Sequence, residues 1–426
     1  MKFNRRRFLQ AFGAAAAVAV TPSIVRANSV PHVVVAGGGF AGATAAKYLR
    51  MWSDKSIDVT LVDPNASHTS CVMSNLVLNR RLRLSELELS YDSLRDFYGV
   101  SVVRGRVSQV NASTNMVTLD DGSKLAYDRL VIATGIEFDA PEGTDFAKTP
   151  HAWIAGPQTT LLANQINAIP NDGSFVMTIP KSPYRCPPGP YERACLVADI
   201  LKRKGGGTVT VLDANADIQA EKHTFDKAFD ELYGDIVDYR TNVFVESVDS
   251  EAGVVMTNEG DFRGDVVNII APQRALGFVR ASGLTGGGSW AGVDPLTYQS
   301  TEPGFDKVHI IGDSQGSGQP KSAHMASSQA KVCVDAIIRL LTGNGVSVND
   351  PERVANITTN SACYSPITYD EASWLTANFV YEAPDMEGAE VGRMVLKHIG
   401  EADHWSNDNY EEMFAWASNL FTDSFH

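Results

Sequence analysis

The sequence predicts an α/β protein with two Rossmann-like dinucleotide-binding domains and a small C-terminal α+β interface domain. Three observations carry that expectation. A strand, a glycine turn, a helix and a second strand open the chain after residue 30. A second unit of the same kind follows near residue 174, with prolines where the glycine turn belongs. A later strand, Lys307 to Ile311, runs into Gly312-Asp313. The expected boundaries are 28–140 together with 281–353 for a discontinuous first domain, 141–280 for the second and 354–426 for the C-terminal part.

In the first unit, the apolar run His32 to Ala36 reads as a short buried strand, and Gly37-Gly38-Gly39-Phe40-Ala41-Gly42 follows at once. A helix starts over Ala43 to Arg50, and Val59 to Asp63 forms the next strand. Gly37 permits the tight turn, Gly39 lets the backbone approach a pyrophosphate, and Gly42 lets helix and strand pack closely. The helix start supplies unpaired N–H groups and the positive end of its dipole. Asp63 ends its strand where an acid binds the ribose hydroxyls of an adenosine half.

Residues 99 to 119 alternate as strands, with Asp121-Gly122 as a hairpin turn. Tyr127 to Gly135 is a buried strand ending in Ala-Thr-Gly, which places Thr134 and Gly135 at a crossover. Asp313 is positioned for a ribityl chain, and Ser322 opens a long helix through Leu341 whose positive end favours an anionic reduced flavin. Together these residues predict FAD. Cys71, in His68 to Asn75, falls over the crevice where the reactive end of a dinucleotide lies. A lone cysteine there is also compatible with simple packing.

The second unit is informative for what it lacks. Ser174 to Ile179 and Val209 to Asp213 read as strands, the latter again ending in an acid. Between them stands Tyr184-Arg185-Cys186-Pro187-Pro188-Gly189-Pro190-Tyr191-Glu192. Three prolines around one glycine remove N–H donors and fix φ, which leaves little to cradle a pyrophosphate. NAD(P)H is therefore not expected as the electron source.

The 426 residues are 44% hydrophobic and 20% charged, ordinary for a globular chain. Arg5-Arg6-Arg7-Phe8-Leu9, the apolar run Ala11 to Val20 and Val25-Arg26-Ala27 read as a twin-arginine signal peptide over 1–27, too short in its apolar part to span a bilayer. Export to the periplasm follows as an expectation. Loss of Lys2, Arg5, Arg6, Arg7 and Arg26 takes the net charge from −14 to −19, which argues against nucleic acid and anionic membranes. Beyond residue 354 the chain is dense in Trp and Phe interleaved with acids. That pattern fits a small module with its own core, and equally a docking face.

Of five cysteines, none has CxxC spacing, and no CxxCH exists, so any c-type haem sits on another chain. Cys195 and Cys333 lie in apolar helical context and read as packing. Cys71, Cys186 and Cys363 fall in expected loops at domain junctions. An oxidising compartment permits a Cys186–Cys363 disulfide, structural or redox-active.

Ser70 to Asn75, Tyr184 to Glu192 and Cys363-Tyr364-Ser365 closely resemble the flavoprotein subunit of flavocytochrome c sulfide dehydrogenases, in the glutathione-reductase-like arrangement. The likeness runs over the whole chain after the leader. It implies FAD joined through its 8α-methyl group to Cys71, a redox disulfide between Cys186 and Cys363 beside the flavin, and a haem c partner subunit. Sulfide is then the substrate, with Glu192 a proton acceptor and no metal of the chain's own. The rival readings are a sulfide:quinone oxidoreductase, an NADH-dependent disulfide reductase, and a non-catalytic flavin relay of a thiosulfate-oxidising assembly.

Overall fold

In the computed structural model, which describes residues 30–343, 346–384 and 392–426, the chain begins with the expected unit. The expected leader over 1–27 lies outside the described residues. Strands β1 (His32–Ala36), β2 (Asp58–Asp63), β3 (Ser101–Arg104) and β4 (Arg129–Ile132) are parallel and lie in the order β3-β2-β1-β4. The strand Val308–Ile310 returns to this sheet beside β4, also parallel, and two short antiparallel strands, Val293–Asp294 and Gln299–Ser300, finish the edge. Helix α1 (Phe40–Trp52) packs on the sheet through Ala43, Ala45, Ala46 and Leu49, all fully buried. Small residues at that spacing bring the helix close to the strands that flank the crevice.

The second unit repeats the order. Strands β5 (Ser174–Ile179), β6 (Thr208–Asp213), β7 (Val237–Thr241) and β8 (Val266–Ile269) are parallel in the order β7-β6-β5-β8. Helix α2 (Gly189–Lys204) makes the crossover from β5 to β6 and ends at Gly205, whose φ of +108° closes it. Two sheets with the strand order of mononucleotide-binding halves define an α/β protein of the glutathione-reductase kind.

The long helix α3 (Ala323–Thr342) is capped by Ser322, whose hydroxyl accepts from the Met325 N–H at 3.1 Å. Beyond it, β9 (Thr358–Pro366), β10 (Ala372–Glu382) and β11 (Arg393–Glu401) form an antiparallel sheet, and α4 (Asn407–Phe425) closes the chain. This C-terminal part does not keep its apolar surface to itself. Leu420 and Phe425 of α4 are buried in the same core as β1 and α1, while Tyr410 and Met413 pack with Leu76 and Leu196. Lys47 of α1 donates to the carbonyls of Thr422 and Asp423 at 3.0 Å each. The aromatics read as a separate core or a docking face are divided accordingly, with the α4 stripe spent on the flavin-side core.

Candidate active site

The glycine turn does what its spacing demands. Gly37 has φ +101°, and a Cβ there would meet the Ala133 carbonyl oxygen at 2.5 Å. A Cβ on Gly42 would meet the Gly37 carbonyl oxygen at 1.8 Å, so helix and turn touch backbone to backbone. Gly39, Phe40 and Ala41 put the uncapped start of α1 at a cleft of about 560 Å³, a volume typical of ligand sites. Asp63, Thr134, Gly135, Gly312, Asp313, Ser322 and Cys71 line the same cleft.

Asp63 has a second task that its position in sequence does not announce. Its two carboxylate oxygens accept the backbone N–H of Gly38 at 2.7 Å and of Asn65 at 2.8 Å, so it pins the turn from the far strand. Burial pushes its carboxyl up, and the two N–H donors oppose that. Asp313 is likewise raised by burial, against the charges of Arg185 and Lys321. The cleft fits FAD on its donor chemistry. A backbone cradle that side chains would fill meets a free helix start, and two buried nitrogens, His68 Nε2 and Arg185 Nη2, stand without a partner.

At the Cys71 end the cleft meets a smaller cavity of about 70 Å³, room for a few water-sized groups. Cys71, Arg185, Ser322 and Ala323 line both spaces. Cys186, Cys363 and Glu192 line the small one. Cys186 sits in a left-handed conformation, φ +58°, and its N–H donates to the Lys321 carbonyl at 2.7 Å. The Arg185 N–H donates to Gln273 Oε1 at 2.8 Å, and Trp153 Nε1 donates to the Arg185 carbonyl at 3.1 Å. The thiol-bearing loop is therefore held to the segment that leads into α3, to Gln273 and to Trp153.

Two expectations need correction. No disulfide joins Cys186 and Cys363, since both are free thiols, as are Cys71, Cys195 and Cys333. Each of the two is fixed by its own backbone, one by the loop bonds above and one by a strand ladder, and the two sulfurs share the cavity as thiols. Cys363 is also not in a loop. It stands in the middle of β9, paired with Leu375 of β10, in a run too polar to show the alternation of a strand. Cys195 and Cys333 are fully buried in α2 and α3, as expected of packing residues.

Burial dominates the electrostatics. It raises the Cys186 thiol well above its usual range, with the charges of Cys363, Glu192 and Cys71 adding and Arg185 opposing. Cys363 is pushed up to about 12 by burial, then by Glu221 and Glu192. Glu192 is pushed up to about 8, mainly by burial. Its Oε1 accepts from Asn75 Nδ2 at 3.0 Å, and Asn75 Oδ1 accepts from Arg193 Nε at 3.0 Å. Arg193 is held by this bond and by donation to the His151 and Ala152 carbonyls and Asn268 Oδ1. The sequence did not single out Arg185, Asn75, Arg193 or Glu221. Only Arg185 carried a signal, its place directly before Cys186.

The second unit has no equivalent grip. Asp213 is fully buried, and one of its oxygens accepts the hydroxyls of Tyr191 and Tyr239 at 2.8 Å each while the other accepts from Asn215. Its own chain fills the place where a ribose diol would bind.

Fold and site together define a two-unit α/β protein of the dinucleotide-binding kind, with a cleft that fits FAD and with Cys71, Cys186 and Cys363 lining the cavity beside it. Residues 31–152 match the pyridine nucleotide-disulphide oxidoreductase family, and residues 159–271 match the family "Sulfide dehydrogenase [flavocytochrome c] flavoprotein chain, central". The mitochondrial sulfide:quinone oxidoreductase of Dictyostelium discoideum is 23% identical over 330 residues, 73% of this chain and 71% of the relative. A flavocytochrome c sulfide dehydrogenase flavoprotein chain from Chlorobaculum thiosulfatiphilum is 58% identical over 46 residues, 11% of this chain and 94% of that sequence. The solved structure of the Aquifex aeolicus sulfide:quinone oxidoreductase superposes with a TM-score of 0.72 at 18% identity, over 93% of this chain and 92% of that one. The chain belongs to the superfamily of FAD–disulfide oxidoreductases that includes the sulfide:quinone oxidoreductases and the flavocytochrome c sulfide dehydrogenases. Among the described residues, no helix is long and apolar enough to cross a membrane.

Proposed function

We propose that the protein oxidises hydrosulfide at Cys186 and Cys363, with FAD in the cleft, and that a separate c-type cytochrome takes the electrons. The observation that carries the reading is that both thiols and Glu192 line one small cavity opening onto the cleft at Cys71. FAD bound there supplies a two-electron acceptor that can release electrons one at a time. Gly37, Gly39, Phe40, Ala41 and Gly42 would hold its pyrophosphate, Asp63 its ribose, Asp313 its ribityl chain and Cys71 its ring.

The thiols of the structure are the reduced end of a cycle. Removal of two electrons and two protons from the pair, with FAD as the acceptor, would join the two sulfurs, and hydrosulfide would then attack that bond. One sulfur gains a persulfide, the other leaves as thiolate, and charge and protons balance. Glu192 enters this step with its proton, because burial keeps it neutral below about pH 8. It donates to the leaving thiolate and recovers the proton later, so its first role is donor rather than acceptor.

The acceptor has a rival. A quinone is favoured by relatives that match most of the chain. A cytochrome is favoured by the central family match and by the short match at 58% identity. The twin-arginine pattern adds a periplasmic location to this proposal. The test is an anaerobic titration with sulfide, followed by addition of cytochrome c or of a short-chain quinone. Flavin bleached by sulfide and recovered by cytochrome c alone supports the proposal. Recovery by quinone alone assigns the other acceptor, and no bleaching contradicts sulfide oxidation.

A further inference from the structure

Cys363 does not stand alone on its strand. Side chains two residues apart share a strand face, so Ser361, Cys363 and Ser365 form one inward row on β9. The Ser365 hydroxyl donates to Glu221 Oε2. Glu221 comes from the turn after β6, holds φ +51°, and is only 1% exposed. Its other oxygen, Oε1, has no hydrogen-bond partner. Ser373, whose hydroxyl shares a hydrogen bond with Thr224 Oγ1 at 3.3 Å, also lies against this carboxyl and, like Ser365, opposes its rise. A buried carboxyl with one idle oxygen, tied to the row that carries a reacting thiol, is costly unless it is used.

We infer that Glu221 is a positioning residue for the thiol chemistry: it acts through Cys363, and only its neutral form lets that sulfur carry negative charge. The inference rests on the reading of Cys363 as a reacting thiol. The charged and titratable groups facing Glu221 are Glu192 and Cys195 on α2, Cys363 on β9 and Glu401 on β11. All are acids or thiols. Its chain neighbour Lys222 is paired with Asp226 and Asp217 instead. Among the described residues, none of the charged groups that act most strongly on Glu221 or Cys363 is a cation. Burial pushes Glu221 up to about 8, so the proton is in place at neutral pH. The negative charge that arrives with hydrosulfide is admitted while Glu221 is neutral, and an ionised Glu221 opposes it. The carboxyl gains or loses one proton, and no electron passes through it.

The experiment reads the thiol directly. The reduced full-length protein is labelled with iodoacetamide from pH 6 to 11, and labelling of the Cys363 peptide is followed by mass spectrometry. In Glu221→Gln, which keeps an acceptor for Ser365, labelling at pH 9 is about tenfold faster than in wild type, while labelling at pH 6 is unchanged. Glu221→Asp restores the wild-type profile. A purely structural role changes labelling by the same factor at pH 6 and at pH 9, and a uniform change, or none, overturns the inference. If Glu221→Gln does not fold, Ser365→Ala serves. Loss of that hydrogen bond raises the Glu221 carboxyl, so labelling between pH 8 and 9 is faster than in wild type, and an unchanged profile again overturns the inference. Failure here leaves sulfide oxidation standing, since sulfide bleaching of the flavin is measured separately.

Discussion

Cys186 occupies the space that a side chain on Gly189 would need. A Cβ on Gly189 would lie 2.8 Å from Cys186 Sγ and 2.9 Å from the Trp153 ring. The glycine in the proline run is thus a steric condition on where the sulfur sits, set one turn ahead of Glu192. Gly189→Ala should displace the sulfur while leaving α2 in place, since residue 189 is helical and small residues suit a helix. The expected outcome is a tenfold or greater loss in the rate of sulfide-dependent flavin bleaching. Overpacking should cost about 1–3 kcal/mol in stability, measured by urea unfolding.

Gly42→Ala tests the flavin turn separately. Its Cβ has nowhere to go but into the Gly37 carbonyl, so the turn must open. The purified variant should contain less than half the flavin of wild type, counted from the absorbance ratio, and should melt several degrees lower.

Cys71 tests the tether. Burial raises its thiol, and the Arg185 charge works against that, at the one place where cleft and cavity meet. After acid precipitation, yellow colour should stay with the wild-type polypeptide and pass to the supernatant for Cys71→Ser. Colour in the supernatant for both proteins rules out the covalent link.

Glu192 tests the buried acid. Its carboxyl is raised in the folded state from 4.5 to about 8, so the folded protein holds a proton that the unfolded chain releases. That contribution to stability is complete below about pH 4.5 and is lost as pH rises towards 8. The melting temperature should therefore fall between these values, and Glu192→Gln should flatten the fall. An equally steep fall in the variant would contradict the assignment.

Legibility in the sequence followed the range of the forces involved. Gly37, Gly42 and the strand that ends at Asp63 act within a few tens of residues, and local pattern exposed them. Cys363 reads as a loop residue because Thr358 to Ser361 is wholly polar and no apolar alternation leads into it, and only pairing with β10 makes it a strand. Glu221 left no trace in the sequence. Its environment is built by Ser365 and Ser373 of one hairpin and Glu192 of α2, brought to it by packing. The aromatics of α4 are visible in the sequence as a Trp- and Phe-dense stretch, but the destination of Leu420 and Phe425 beside α1 is not. Asp213 reads in sequence like Asp63, and only the Tyr191 and Tyr239 hydroxyls show that its site is taken.

The central claim is that two cysteines from separate segments do the chemistry together. Anaerobic stopped-flow mixing of sulfide with Cys186→Ser and with Cys363→Ser, each loaded with flavin, tests it most directly. The account predicts that either substitution slows flavin bleaching at least a hundredfold while flavin content stays at the wild-type level. Bleaching at the wild-type rate in either variant would contradict it.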